Sequence, residues 1–285
     1  MEIIMIKTVK TKRFLLGSII KYIFLLVMAF VFAMPMVFTL MSSVKTKTEI
    51  FAKPFSLPEV FLWGNYIEAW QAANMSRYFL NSIFQAGMTV IVLAIVSSMA
   101  AYVLSRFQFR GDKFMMIFFM LGMMVPMHTV LVPISYIIGI LSLKNNILSL
   151  VLIYVAFSLP FSIMVMSNFM RGVNHSLEEA ALIDGATYFQ IYRRVMLPLC
   201  VPAISTISIF NFLGAWNNIL FPLLFINDKN LKPIALGLLN FNGERGSDYG
   251  PLMAAIVITV AVPFIIYLLF QEKVEGGLTA GAVKE

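Results

Sequence analysis

Hydrophobic and polar positions fall into long blocks along this chain and show no fine alternation. Between one charged residue and the next, six stretches run for 20 residues or more: 22–44, 78–105, 114–143, 145–170, 195–227 and 249–271. A helix rising ~1.5 Å per residue needs about 20 apolar residues to cross a ~30 Å hydrocarbon layer, so each block is long enough to span. Strands of a membrane β-barrel would alternate in character over ~10 residues, and these blocks do not. The pattern predicts an all-α membrane protein of six transmembrane helices, over about 22–44, 78–105, 114–138, 146–170, 198–226 and 250–270. They form one six-span domain, 22–271, between a cytoplasmic N-terminal segment, 1–21, and a cytoplasmic tail, 272–285.

Composition agrees. Hydrophobic residues make up 60% of the 285 positions and charged residues 12%, about half of the ~25% usual in soluble domains. That excludes a soluble enzyme, a disulfide scaffold and a disordered chain. The single cysteine, Cys200, permits neither an internal disulfide nor a thiolate cluster, and no metal site is expected. A net charge of +7 invites a nucleic-acid reading, but the basic residues are scattered among loops without aromatic interleaving. Orientation explains them better. The group Lys7, Lys10, Lys12, Arg13 and Lys21 resembles the basic region of a signal peptide. The apolar run behind it is too long for one, and no A-x-A site follows, so it reads as a retained first span. With both termini inside, thirteen Lys/Arg lie on the cytoplasmic side and eight outside, which favours an N-in, C-in topology in the cytoplasmic membrane.

The segment 171–194, between spans four and five, is the most informative. Ser176-Leu177-Glu178-Glu179 fits a capping box, with Ser176 accepting from the N–H of Glu179. Two carboxylates in the first turn suit the helix dipole. Leu177, Ala180 and Ala181 are spaced for one small apolar face. Gly185 can stop the helix with positive φ, and Thr187-Tyr188-Phe189-Gln190 opens a second capping box. Helix, Gly turn, helix makes a rigid knob. From the residues alone it is either a docking element or an amphipathic linker resting on the headgroups.

Glu179-Ala180-Ala181, three residues, Gly185, nine residues and Val195-Met196-Leu197-Pro198 resemble the EAA motif of ABC importer permeases, with Val195 where Ile is usual. Flanking strings resemble the carbohydrate branch, the maltose-type second permease. They are Asn81-Ser82, Ala100-Ala101-Tyr102, Arg106-Phe107, Ile183-Asp184-Gly185-Ala186, Trp216-Asn217-Asn218 with Pro222, Met253-Ala254-Ala255, and the tail Gly277 to Lys284. The likeness covers nearly the whole chain. It implies that 171–194 is a coupling helix docking on a cytoplasmic ATPase, with Glu178, Glu179, Ala180, Ala181, Asp184 and Gly185 carrying that role. It also implies a second, different permease subunit, two copies of an ABC ATPase subunit and an extracytoplasmic sugar-binding protein as partners. Two departures stand out: Val173-Asn174-His175-Ser176 replaces the family's Ile/Val-Pro, and Glu272-Lys273 replaces the Arg-Tyr that usually follows Phe-Gln.

The same reading says where energy and substrate enter. None of the six blocks contains Asp, Glu, Lys or Arg, the residues that couple ions within transporter spans. No Gly precedes a Lys, so there is no Walker A cradle, and the chain is expected to be non-catalytic and without a cofactor of its own. Candidates for the substrate pathway are Ser208, Asn211, Trp216 and Asn218 in span five, and Asn81 and Gln85 in span two. Uncharged amides and hydroxyls suit a sugar; the same residues are also ordinary glue between membrane helices. The family resemblance suggests that the loop 228–248 reaches toward the binding protein, with Asn240, Asn242 and Gly243 in a mobile polar stretch; a plain connector is the alternative. A stand-alone six-span facilitator or channel is the competing function, although no paired Asn-Pro-Ala motif is present. An intramembrane hydrolase ranks last, because His128 and His175 are the only histidines and lack a carboxylate in their spans.

Overall fold

The computed structural model describes the backbone of residues 2–72, 74–242 and 248–282, and the side chains of 18–71, 74–239, 241 and 248–271. Among these residues the secondary structure is helical throughout. Numbered in chain order, the helices are α1 (Glu2–Ser42), α2 (Lys47–Ala52), α3 (Gly64–Ala72), α4 (Met75–Arg106), α5 (Asp112–Met123), α6 (Leu131–Ile140), α7 (Ile147–Gly172) and α8 (Ser176–Ile183). They continue with α9 (Tyr188–Ile191), α10 (Leu197–Leu199), α11 (Val201–Asn217), α12 (Leu220–Phe225), α13 (Ile234–Gly237) and α14 (Tyr249–Ala282).

Four helices are long and apolar enough to cross a membrane: Ser18–Ser42, Met75–Arg106, Ile147–Gly172 and Tyr249–Gln271. Two bent pairs raise the number to six if each pair is one span. The sequence pattern predicted one span at each place, interrupted by prolines, and proline chemistry accounts for the breaks. Between α5 and α6 the axis turns by 91°. Pro126 has no N–H to donate and biases Val125 toward extended backbone, so α5 ends at Met123 and the chain restarts through a 3-10 turn, Met127–Val130. The expected span 198–226 is likewise broken. Tyr188–Leu199 and Val201–Asn217 meet at 72°, with a π-helical turn at Tyr192–Met196 ahead of Pro198 and with Pro202 just past the break. A further break at Asn218 precedes Pro222 and α12. The last helix runs past the expected end of its span, through Ala282.

The chain divides into two compact units. Met1–Ala69 with Arg245–Val257 forms one. Its segment 43–65 is tightly folded. Thr46 and Glu49 build a reciprocal capping box at the start of α2, and the buried Lys45 ammonium donates to the carbonyls of Lys53 (3.0 Å) and Pro54 (3.1 Å). Asn65 Nδ2 donates to the carbonyls of Ser43 and Lys45. A Cβ on Gly250 would lie 2.7 Å from that Nδ2 and 2.8 Å from the Lys45 carbonyl, so this close approach requires glycine.

Trp70–Glu244 with Ile258–Glu285 forms the other unit. Its spine is α4 against α7. The buried stripe of α4 carries Ser82, Gln85, Ala86, Thr89, Leu93, Ser97 and Ala101, small or hydroxyl-bearing at most positions, which lets the helix axes approach. Thr89 and Ser97 donate back to the carbonyls of Gln85 and Leu93, one turn earlier, so their hydroxyls are satisfied within the helix. At one end of the unit an apolar cluster of Ala101, Tyr102, Met166, Met170, Ile191, Tyr192, Met196, Cys200, Ala203 and Ile207 joins α4 and α7 to α9, the π turn and α11. That cluster forms the floor beneath 171–194.

Candidate functional site

The segment 171–194 folds as helix, turn, helix. The first cap differs from the sequence expectation. Ser176 is the first helical residue of α8 and not its cap, and its N–H donates to Asn174 Oδ1 (3.1 Å). His175 occupies the cap position, and its side chain makes no capping bond. Asn174 provides the acceptor two residues ahead, as an Asx turn does, so the Ser176 hydroxyl is not needed. Gly185 closes the turn at φ +81°, where nothing lies within 4 Å of a built Cβ, so the requirement is backbone conformation and not space. The second capping box forms as the spacing predicts. Thr187 Oγ1 accepts from Gln190 N (3.4 Å) and Gln190 Oε1 accepts from Thr187 N (2.8 Å).

The two adjacent carboxylates of α8 face opposite ways. Glu179 is exposed, as are Ala180, Asp184 and Gly185. Leu177, Leu182 and Ile183 are exposed too, Ile183 by 86%. Glu178 is buried, and Ala181 packs on the apolar floor. The inward face is therefore Glu178 and Ala181, one helical turn apart, where the sequence suggested Leu177, Ala180 and Ala181 together. Glu178 Oε1 lies 2.5 Å from Arg106 Nε, an ion pair not aligned as a hydrogen bond. Glu178 Oε2 accepts from Tyr102 Oη (3.3 Å). Arg106 Nη2 also donates to the Val173 carbonyl (2.8 Å), and Arg106 Nη1 contacts His175 Nε2 (3.0 Å). Sequence reasoning missed Arg106, Tyr102 and His175 as a group. The i, i+4 spacing of Tyr102 and Arg106 put them on one helix face, but nothing linear linked that face to residues 70 positions away.

The pathway candidates are dispersed. Asn81 Nδ2 donates to the carbonyls of Asn230 (2.9 Å) and Lys232 (3.0 Å). Gln85 is buried, with Nε2 on the Ala215 carbonyl (3.2 Å) and Oε1 unpartnered among the described residues. Asn211 Nδ2 bridges to Ser162 Oγ (3.1 Å) and the Ile207 carbonyl. Ser208 is half-buried, and Asn218 Oδ1 accepts from Phe221 N (3.1 Å). Trp216 is fully buried, stacked on Phe212 at 5.6 Å and edge-on to Phe79 at 5.7 Å. Its Nε1 donates to the Thr259 carbonyl (3.1 Å). That acceptor lies four residues before Pro263, which has no N–H to reach it.

The loop 228–248 is partly built in. Ile234 N donates to Ser82 Oγ (2.8 Å), and α13 is buried against α4. A Cβ on Gly237 would collide with the Tyr78 ring. Asn240 and Asn242 lie in a 3-10 turn, Leu238–Asn242, with side chains outside the described residues. Gly243 and Gly246 lie outside the described residues altogether.

The model of the family described as "Binding-protein-dependent transport system inner membrane component" matches residues 95–279. The diacetylchitobiose uptake system permease protein NgcG of Streptomyces coelicolor is 36% identical over 93% of this chain and 88% of its own length. The multiple sugar-binding transport system permease protein MsmG of Streptococcus mutans is 31% identical over 93% of this chain and 96% of its own. A chain from the crystal structure of a bacterial ABC transporter involved in the import of alginate superposes with a TM-score of 0.81 at 22% identity, over 90% of this chain and 96% of that one. At that identity the superposition speaks for the fold; the family model and the relatives carry the assignment. The chain therefore belongs to the family of binding-protein-dependent transport system inner membrane components, and is a multi-pass membrane permease subunit.

Proposed function

We propose that the chain forms half of the translocation pathway of an ATP-driven sugar importer in the cytoplasmic membrane and takes its driving force through α8. The carrying observation is the division of labour on α8. One face is tied into the protein through Glu178 and Ala181, while Glu179, Ala180, Leu182 and Ile183 are left exposed. An exposed apolar and acidic surface on a two-turn helix, held rigidly from behind, suits a cleft on another protein better than it suits headgroups. The partners in this reading are a second, different permease, two ATPase subunits and an extracytoplasmic binding protein, with both termini in the cytoplasm. Relatives named for diacetylchitobiose and multiple-sugar uptake support a saccharide substrate, as do the uncharged spans.

The test is ATP-dependent uptake of a labelled sugar panel by the complete complex in liposomes. Glu179→Lys should reduce uptake to background while the chain still inserts in the membrane. Wild-type uptake in that variant would remove α8 from the coupling path. Uptake by this chain alone, without nucleotide, would replace the importer with a facilitator.

A further inference from the structure

Arg106 ends α4 with its side chain 3% exposed, and Glu178 opposite it is 11% exposed. A guanidinium keeps its charge in proteins and presents five donors and no acceptor. Burying one requires acceptors on several sides. Here they come from other elements: the Val173 carbonyl closing α7, the Glu178 carboxylate of α8, and Met196 Sδ of the π turn at 3.9 Å. His175 Nε2, facing an all-donor group at 3.0 Å, takes part through its lone pair. Tyr102, one turn earlier on α4, donates to the second oxygen of Glu178 and packs against Tyr192 at 5.4 Å. Tyr192 Oη in turn lies 2.8 Å from Ser98 Oγ. The end of α4 thus grips the end of α7, the start of α8 and the π turn with one side chain.

We infer that Arg106, with Glu178 as its counter-charge and Tyr102 as a second donor, is the positioning residue that makes α8 and the cytoplasmic end of α4 move as one body. The inference rests on the importer reading above. An eight-residue helix is too short to hold its own position in water, so whatever ties it down sets its direction. A buried ion pair adds little net stability over apolar residues of similar volume. What it adds is direction, because the carboxylate is held from two sides, Oε1 beside the Arg106 guanidinium and Oε2 by the Tyr102 hydroxyl. Force received on the exposed Glu179 face then passes through Glu178 to Arg106 and into α4, the helix whose buried stripe includes Gln85 and Thr89.

The test uses the complete reconstituted complex and reads ATP hydrolysis and sugar uptake side by side. A single change strands a buried charge and threatens folding, so the informative variant removes both: Arg106→Leu with Glu178→Leu, for which the fold should hold. It should assemble with the ATPase and hydrolyse ATP near the wild-type rate, while uptake per ATP falls about tenfold, the size of an ordinary coupling free energy. Tyr102→Phe, which deletes one hydroxyl, should show a smaller loss of the same kind. Wild-type uptake per ATP in the double variant would overturn the inference. So would loss of the ATPase subunit from the purified complex, since the pair would then belong to the docking surface itself. A wild-type complex that takes up no saccharide with ATP would overturn the importer reading, and this inference with it.

Discussion

At the scale of single residues, position in the helix decided roles that residue type left open. Trp216 is an aromatic that a sugar ring could stack on, yet its indole N–H closes on the Thr259 carbonyl inside the bundle. Trp216→Phe keeps the ring packing and deletes the donor. It should cost about 1 kcal/mol of stability, read as earlier thermal inactivation of the purified chain; an unchanged inactivation curve would return Trp216 to the list of substrate contacts. Gly185 has open space around it and a positive φ. Asn tolerates that conformation and β-branched residues do not. Gly185→Asn should therefore retain most uptake, while Gly185→Val, paying about 1–2 kcal/mol of backbone strain, should lose it with the chain still in the membrane. Equal activity in the two variants would show that the turn does not fix the geometry of α8.

Among elements, short helices are placed by their ties and long ones by their faces. α13 has four residues, all buried, and is held by Ser82 and by the contact of Gly237 with Tyr78. Gly237→Ala forces the Tyr78 ring to move and should destabilise by about 1–3 kcal/mol, measurable as faster hydrogen exchange at Ile234, whose N–H bonds Ser82. Unchanged exchange there would mean that α13 is held elsewhere. At α2, the N–H groups of Glu59 and Thr46 donate to Glu49 and hold its carboxyl below the ordinary value of 4.5. A depressed carboxylate contributes above its unfolded pKa and loses that contribution as pH falls through the folded one. The cap of α2 should hold at neutral pH and loosen only at pH values below that ordinary one, seen as faster exchange of the Glu59 N–H on acidification. Loosening already near pH 6 would contradict the assignment.

For the whole molecule, function follows from what is missing inside the membrane and present outside it. The apolar blocks carry no Asp, Glu, Lys or Arg, the residues that couple ions within transporter spans. In the proposed function, the exposed surface of α8 is where another protein supplies work. The Ser18–Ser42 helix leaves every residue of its most apolar window unburied, and large apolar side chains along it are exposed, as expected of a helix that meets lipid or protein along its length.

Much of this was legible in the residues. Charge-free blocks of sufficient length mark a membrane protein because lipid offers the backbone no hydrogen-bonding partner, and helices satisfy their own. The Gly185 turn and the Thr187 box are local chemistry, read within four residues. The EAA-type spacing marked the family for the same reason: its residues lie close together on the chain. The rest depended on distance in space. Proline positions were visible, but how far each bends the chain depends on what packs around it, so span three became two helices at 91°. Glu178 and Glu179 are neighbours of the same type, and sequence alone assigned both to the partner. Only the folded chain, by bringing Arg106 from the end of α4 to the start of α8, separates the carboxylate tied into the protein from the one left exposed.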